Sequence, residues 1–299
     1  YWDFELIKNV RKNFSTIKDV ASQNNLIMKK GLQDNDGDKK DSSNLVGRKI
    51  LDSEEALDHF YLNESAYTIF NKDKIHRPRN PEIYKAPYVL FKKGLDCADY
   101  SIRAVYAESD FLYRETINCI KGSEKDKKTL LNLCGLLNSS LFSYFNLMLG
   151  SSTGIEREQI FLEELGNYPY VYNDELVELV EKMQREEWGK NRNELQVALN
   201  QCVMRMYGLQ DNYFVDYALS IQIPMLCGTY QETKCDAKTM KEYVSILSKI
   251  WDEHFGQSNV HYKITIYPDI KGKFAAVQVK LSFTSQIEDI FVIDNVDED

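Results

Sequence analysis

Between Thr129 and Gly150 the chain runs for 22 residues without a charge. On length alone such a run can cross a bilayer, so the segment must either span a membrane or be hidden in a core. Asn132, Asn138, Ser139, Ser143 and Asn146 recur at helical spacing, while Leu130, Leu133, Leu137, Leu141, Tyr144, Phe145 and Met148 make the opposite, apolar face. That is the pattern of a buried amphipathic helix in a soluble protein. It predicts one long helix ending near Gly150, no membrane contact and a cytoplasmic chain.

Charge divides the 299 residues at about the same place. The whole chain carries 37 Lys+Arg against 46 Asp+Glu, a net of −9. Residues 1–130 hold 23 basic and 21 acidic side chains, net +2, and the remainder 14 and 25, net −11. Bulk acidity therefore does not exclude a polyanion partner for the N-terminal part. The six cysteines show no C-x-x-C spacing and the four histidines are scattered, which predicts a reduced chain without a zinc site.

Periodicity gives the organisation. Asp3 caps a first helix to about Asn13, with Phe4, Ile7 and Val10 on one face. Ile17–Val20 make a helical turn, Leu26–Met28 a strand, and Gly31–Ser43 a polar loop rich in turn formers that is mobile or ligand-facing. Short apolar runs at Ala66–Phe70, Tyr88–Phe91, Ile102–Tyr106 and Thr116–Ile120 read as strands. Helices follow at Asp174–Trp188 and Asn193–Tyr207, the latter closed by Gly208-Leu209, and at Asp211–Ile221. After Pro224 a helix over Ala237–Phe255 precedes strands at His261–Tyr267, Phe274–Phe283 and Ile290–Ile293, with a turn at Pro268–Lys273. The fold class is α+β: a β-rich part with a long helix (1–170), a helical segment (171–224) and a small α+β unit (225–299).

Several chemistries have no motif. The sequence contains no G-x-G-x-x-G, G-x-x-x-x-G-K-[ST], G-x-S-x-G or H-E-x-x-H. A nuclease-like trace remains in Pro268-Asp269 followed by Gln278-x-Lys280. A second carboxylate in place of Gln278 would complete a magnesium site; an ordinary turn and alternating strand explain the same residues more simply.

The most basic stretch is Lys72–Lys93, with Lys72, Lys74, Arg77, Arg79, Lys85, Lys92 and Lys93 against Asp73 and Glu82. Pro78, Pro81 and Pro87 stiffen its approach to a strand, so the cations are held rather than floppy. Arginine fits phosphates and guanine edges bidentately, and lysine neutralises phosphates. A solvated loop entering a core strand is the competing reading. In Gly150–Gly154, Ser151, Ser152 and Thr153 with two glycines offer a close approach to phosphate, or equally a helix C-terminal turn. Tyr144 and Phe145 are spaced for core packing rather than base stacking, and Glu175, Glu178, Glu181, Glu186 and Glu187 form a solvated acidic face.

The phrase Arg79…Tyr84-Lys85-Ala86-Pro87-Tyr88-Val89-Leu90-Phe91-Lys92-Lys93 is followed by Leu136-Leu137-Asn138-Ser139-Ser140-Leu141-Phe142-Ser143-Tyr144-Phe145. Then come Gly150-Ser151-Ser152-Thr153-Gly154, Leu165-Gly166-Asn167-Tyr168-Pro169 and Val203-Met204-Arg205-Met206-Tyr207-Gly208-Leu209. In this order, over about residues 1–220, they resemble the C-terminal target-recognition region of N6-adenine DNA methyltransferases. Similar regions occur in TaqI-like methylases, type IIG restriction-modification enzymes and phage-defence methylases. The family's Asn/Asp-Pro-Pro-Tyr/Phe sequence and its S-adenosylmethionine motif are missing here. The resemblance thus implies a specificity part, without catalytic residue or cofactor of its own, beside a catalytic domain that binds S-adenosylmethionine. It implies double-stranded DNA as partner, held by a second lobe while the target adenine is extruded, and a methyltransferase domain or restriction subunit as a further partner. Arg77, Arg79, Lys92 and Lys93 are then the leading DNA contacts, with Lys74, Lys85, Arg103 and the Ser151–Thr153 hydroxyls next. The alternative is a protein-interaction module that docks a partner subunit through the acidic helices and the C-terminal unit.

Overall fold

The computed structural model describes residues 2–35, 37–153, 158–185, 190–230, 237–255, 261–267, 276–282 and 291–292. Among these it is a mixed α+β protein whose contacts divide it into two units, Tyr1–Thr229 and Tyr230–Asp299. The helices of the first unit are α1 (Trp2–Asn13), α2 (Ile17–Gln23), α3 (Lys127–Leu137), α4 (Ser140–Leu149), α5 (Leu162–Gly166), α6 (Asp174–Arg185), α7 (Lys190–Tyr207), α8 (Tyr213–Tyr217) and α9 (Ile223–Leu226). Its strands are β1 (Ser15–Thr16), β2 (Ile27–Lys30), β3 (Lys40–Asp41), β4 (Lys49–Leu51), β5 (Leu57–Asp58), β6 (Tyr61–Leu62), β7 (Tyr67–Ile69), β8 (Lys74–Ile75), β9 (Tyr88–Lys92), β10 (Ala104–Ala107), β11 (Leu112–Tyr113), β12 (Ile117–Lys121) and β13 (Pro169–Tyr170).

The uncharged run folds as two helices, α3 and α4, and not as the single helix its periodicity predicts. Asn138 makes the break. Its Nδ2 donates to the carbonyls of Ala104 and Cys134 at 2.8 and 2.9 Å, and its Oδ1 accepts the Ala104 N–H at 3.0 Å. An asparagine that satisfies a neighbouring strand competes with its own helix, and Ser139 begins the next one in extended conformation. The polar positions are therefore not a wet face. Asn132 bonds the backbone of Val171 and Asn173, and Asn146 bonds the Tyr100 carbonyl and the Tyr168 hydroxyl. All three asparagines are buried. Among the described residues no helix is long and apolar enough to cross a membrane.

A four-stranded antiparallel sheet of order β10-β9-β12-β2 separates two cores. Successive strand residues point to opposite faces. Val89, Phe91, Ala104, Tyr106 and Ile120 accordingly face the helices, while Tyr88, Leu90, Val105, Ile117 and Cys119 face a second core of short strands and loops. The helical core includes Phe142, Tyr144 and Phe145 at 0% exposure, beside Leu176, Val180 and Val203 of α6 and α7. Burying each of the two phenylalanines stabilises by about 1.5–3 kcal/mol. Tyr144 and Phe145 are thus core residues, with the Tyr144 hydroxyl donating to Asp3. Cys119 and Cys134 are buried and unpaired, and burial pushes their thiols up to about 11 and about 12.

The second core holds the strand order β11-β4-β7 and the ribbon β3-β8. Tyr84, Tyr88, Phe111 and Tyr113 stack edge-on within it at centroid distances of 5.2 to 6.4 Å. In the helical core, Leu209 N–H donates to the Met204 carbonyl and Gly208 sits at φ +67, the left-handed C-terminal cap expected of that glycine. Past α8 the predicted helix continues differently. Ala218–Gln222 is a π-helical turn that runs into α9. Pro224 lacks an N–H and its ring presses on the carbonyl four residues back, which loosens that turn.

In the second unit α10 (Ala237–Phe255) precedes β14 (His261–Tyr267), β15 (Ala276–Ser282) and β16 (Phe291–Val292). β14 is central, antiparallel to β15 and parallel to β16, and Val244 and Ile264 are buried. Trp188, the Pro268–Lys273 turn and Asp269 lie outside the described residues. Gln278 stands opposite Thr265 and Lys280 opposite Lys263 in the β14–β15 ladder, with Lys280 exposed.

Candidate nucleic-acid interface

The seven cations of the basic stretch do not form one patch, because β9 lies between them. At about 3.3 Å per residue this strand spans ~13 Å, and Lys85 precedes its start while Lys92 and Lys93 stand at its finish. Lys85 pairs with Glu82 at 2.8 Å. At the other end the sheet brings remote segments together. Ile117 of β12 is level with Lys92, Asn118 is level with Lys30 of β2, and the Gly31 N–H donates to the Ile117 carbonyl at 3.1 Å. With strands about 4.8 Å apart, Lys92 and Gly31 are separated by roughly 10 Å.

Arg79 joins this end directly, its Nε donating to the Gly31 carbonyl at 3.1 Å. Arg77 joins it through the backbone, exchanging two hydrogen bonds with Gln33 at 2.9 and 3.1 Å. Lys93 N–H donates to the Thr116 carbonyl at 2.7 Å. The sheet therefore brings the Arg77, Arg79, Lys92 and Lys93 segments to one end of its strands, with exposed Lys74 on the β3–β8 ribbon opposite Asp41. None of these five forms an ion pair among the described residues.

Two local devices hold the edge open and in place. Gly31 passes so close to the next segment that a methyl group there would stand 2.2 Å from the Tyr113 carbonyl oxygen. Asp34, only 7% exposed, receives Lys72 at 2.6 Å and Arg114 at 2.5 Å, and Arg114 also reaches Asp52 at 2.6 Å. Burial raises the Asp34 carboxyl, but the hydrogen bonds from Lys72 and Arg114 outweigh it and hold it below the usual aspartate range. Lys72 is thereby a structural cation, while its neighbours stay free.

Other expected contacts are occupied. The Arg103 guanidinium is held by Asp58 at 3.0 Å and by Asp96, so its charge is neutralised inside the protein. Ser151 donates to Glu164, Ser152 is buried against the Gln159 backbone, and the Thr153 hydroxyl donates to the carbonyls of Asn146 and Gly150. That loop closes on itself beside a carboxylate, as a helix-end turn does; Gly154 is outside the described residues.

No protein-family model matches the chain, and no curated protein matches it. Among solved structures it is similar to the Type IIL restriction-modification enzyme MmeI in complex with DNA, at 10% identity and a TM-score of 0.43. The match covers 67% of this chain and 35% of that one, so the chain spans about a third of that enzyme's length.

Residue-type reasoning missed the polar groups beneath the basic edge. Gln33 Oε1, Asp34 Oδ1 and both side-chain atoms of Asn118 are buried with no hydrogen-bond partner among the described residues. The turn-rich composition of Gly31–Ser43 was the signal available for the first two. Asn118 had none, since it sits inside an apolar strand.

Proposed function

We propose that this chain is a DNA-reading module of a restriction-modification system, the target-recognition part of an N6-adenine methyltransferase. The observation that supports it is the convergence of the Arg77, Arg79, Lys92 and Lys93 segments on one end of the sheet, none of the four in an ion pair among the described residues. Held by backbone pairing and by the Gly31 crossing, these cations meet a phosphate backbone without first ordering a loop. Arg77 and Arg79 have the fork that reads guanine bidentately, and the lysines fix register on phosphates. The chemistry on the base belongs to a catalytic domain that binds S-adenosylmethionine outside these residues.

Titration of the full chain with duplex DNA at several salt concentrations tests the reading. Four cations on phosphates give a log–log salt slope of about −3 to −4. No detectable binding at low salt, or binding indifferent to salt, rejects it.

A further inference from the structure

Where α3 ends and α4 begins, a cavity of about 360 Å³ opens between the helices and the π-helical turn. It lies outside the basic edge, and the DNA reading makes no use of it. We infer that this cavity binds a neutral nitrogen heterocycle of nucleobase or nucleoside size.

The lining is divided by chemistry. Met183, Leu219, Ile223 and Pro224 supply apolar surface for the face of a ring. Ser140, Ser143, Gln196 and Asn200 supply an uncharged hydrogen-bonding wall. Ser143 is 3% exposed as a residue, and its hydroxyl, which makes no hydrogen bond among the described residues, is the part that opens on the cavity. A hydroxyl in that position offers one donor and two acceptor sites to a polar ring that enters.

The amides on α7 are oriented by what they already hold. Asn200 Oδ1 accepts the Ser140 N–H at 3.0 Å and Gln196 Nε2 at 3.2 Å, and Gln196 Nε2 also donates to the Asn138 carbonyl. A backbone N–H only donates, so the Asn200 atom facing it is oxygen and its amide is fixed. Asn200 Nδ2 and Gln196 Oε1 are left over, a donor and an acceptor on residues four apart along one helix face. Such a pair matches the adjacent acceptor and donor on a nucleobase edge.

The surrounding charges are spent or peripheral. His59 Nδ1 donates to Asn138 Oδ1 at 2.7 Å, leaving Nε2 to accept from Ser101 at 3.3 Å. Burial lowers the imidazole's pKa, which keeps it neutral. Arg192 turns an Nη2 to the His59 carbonyl, and Asp99 is exposed. Serine, imidazole and amide stand here in the order of a nucleophile, its base and an orienting group. Ser101, however, is 6% exposed and its N–H is given to Asp99, so the array is a scaffold for the cavity wall. The π-helical turn beside it contributes Leu219; such turns recur at functional sites.

The test is ligand-detected NMR and calorimetry on the full chain with adenosine, guanosine, cytidine and uridine, and with ribose as control. At least one nucleoside is expected to bind and ribose is not. Ser143→Leu, which fills the cavity from α4, abolishes that binding. Ser143→Ala, which keeps the fold, weakens it about three- to tenfold, the range for one neutral hydrogen bond. A duplex with one unpaired base, compared with its fully paired form, separates an extruded base from a free nucleoside as the source. The inference is overturned if neither nucleosides nor the unpaired base bind, or if a bound base is indifferent to Ser143→Ala.

Discussion

Val89 and Phe91 of β9 point into packed helices, while Tyr88 and Leu90 of the same strand point into a core of short strands and loops. On the helical side the buried asparagines Asn132, Asn138 and Asn146 are neutral and each is tied to backbone groups of another segment. On the β-rich side, residues distant in sequence are tied by charge, as Asp34 is by Lys72 and Arg114. Long helices bury enough apolar surface to fix themselves. Two- and three-residue strands do not, and the ion pairs that pin them also decide which cations remain free at the edge.

The largest break in this comparison is on the helical side. Phe145→Ala removes a fully buried ring and is expected to cost about 3–5 kcal/mol, seen as a lower midpoint in chemical denaturation.

Asp34→Asn probes the other core. It leaves Lys72 and Arg114 without their shared carboxylate and is expected to cost about 1–3 kcal/mol at pH 7. Its pH dependence has a definite sign. The folded carboxyl titrates below an unfolded aspartate's value near 3.9, so the unfolded chain binds more protons between the two. The Asp34 contribution is full above pH ~4 and is lost as pH falls through the folded value. Thermal melts of Asp34→Asn should therefore be less acid-sensitive below pH ~4 than wild type.

The two ends of β9 give a smaller, sharper contrast. Lys93→Ala or Arg77→Ala is expected to lower DNA affinity and to reduce the salt slope by about 1 each, whereas Lys85→Ala leaves both unchanged. An equal loss from Lys85→Ala in salt-dependent titrations would return the basic stretch to a diffuse field.

The smallest effect concerns His59. Its folded imidazole titrates below an unfolded histidine's value near 6.5, so its contribution is complete above pH ~6.5 and declines as pH falls toward the folded value. A His59→Gln variant, less stable at pH 7.5, should show a shallower fall in melting temperature from pH 7 to 5.5 than wild type.

Much of this was legible in residue order. The α1, α10 and Gly208 boundaries, and the strands at Tyr88, Ile117 and His261, follow from local periodicity and caps. Arg77, Arg79, Lys92 and Lys93 were visible as cations, but so was Lys85, and nothing local separates them. Arg103 looked free because Asp58 and Asp96 reach it only through the fold. Ser151–Thr153 suited phosphate until Glu164 and Gln159 came alongside.

The sequence by itself determined the class of the protein, its apolar faces and the presence of an excess of cations before a strand, because side-chain periods of two and 3.6 residues are local properties. Tertiary structure alone decided that the uncharged run breaks at Asn138, that its amides turn inward, and that the segments of four cations meet at the Gly31 end of the sheet. The reason is physical. Those outcomes depend on strand register and on hydrogen bonds between distant residues, which exist only once the sheet has set its neighbours side by side.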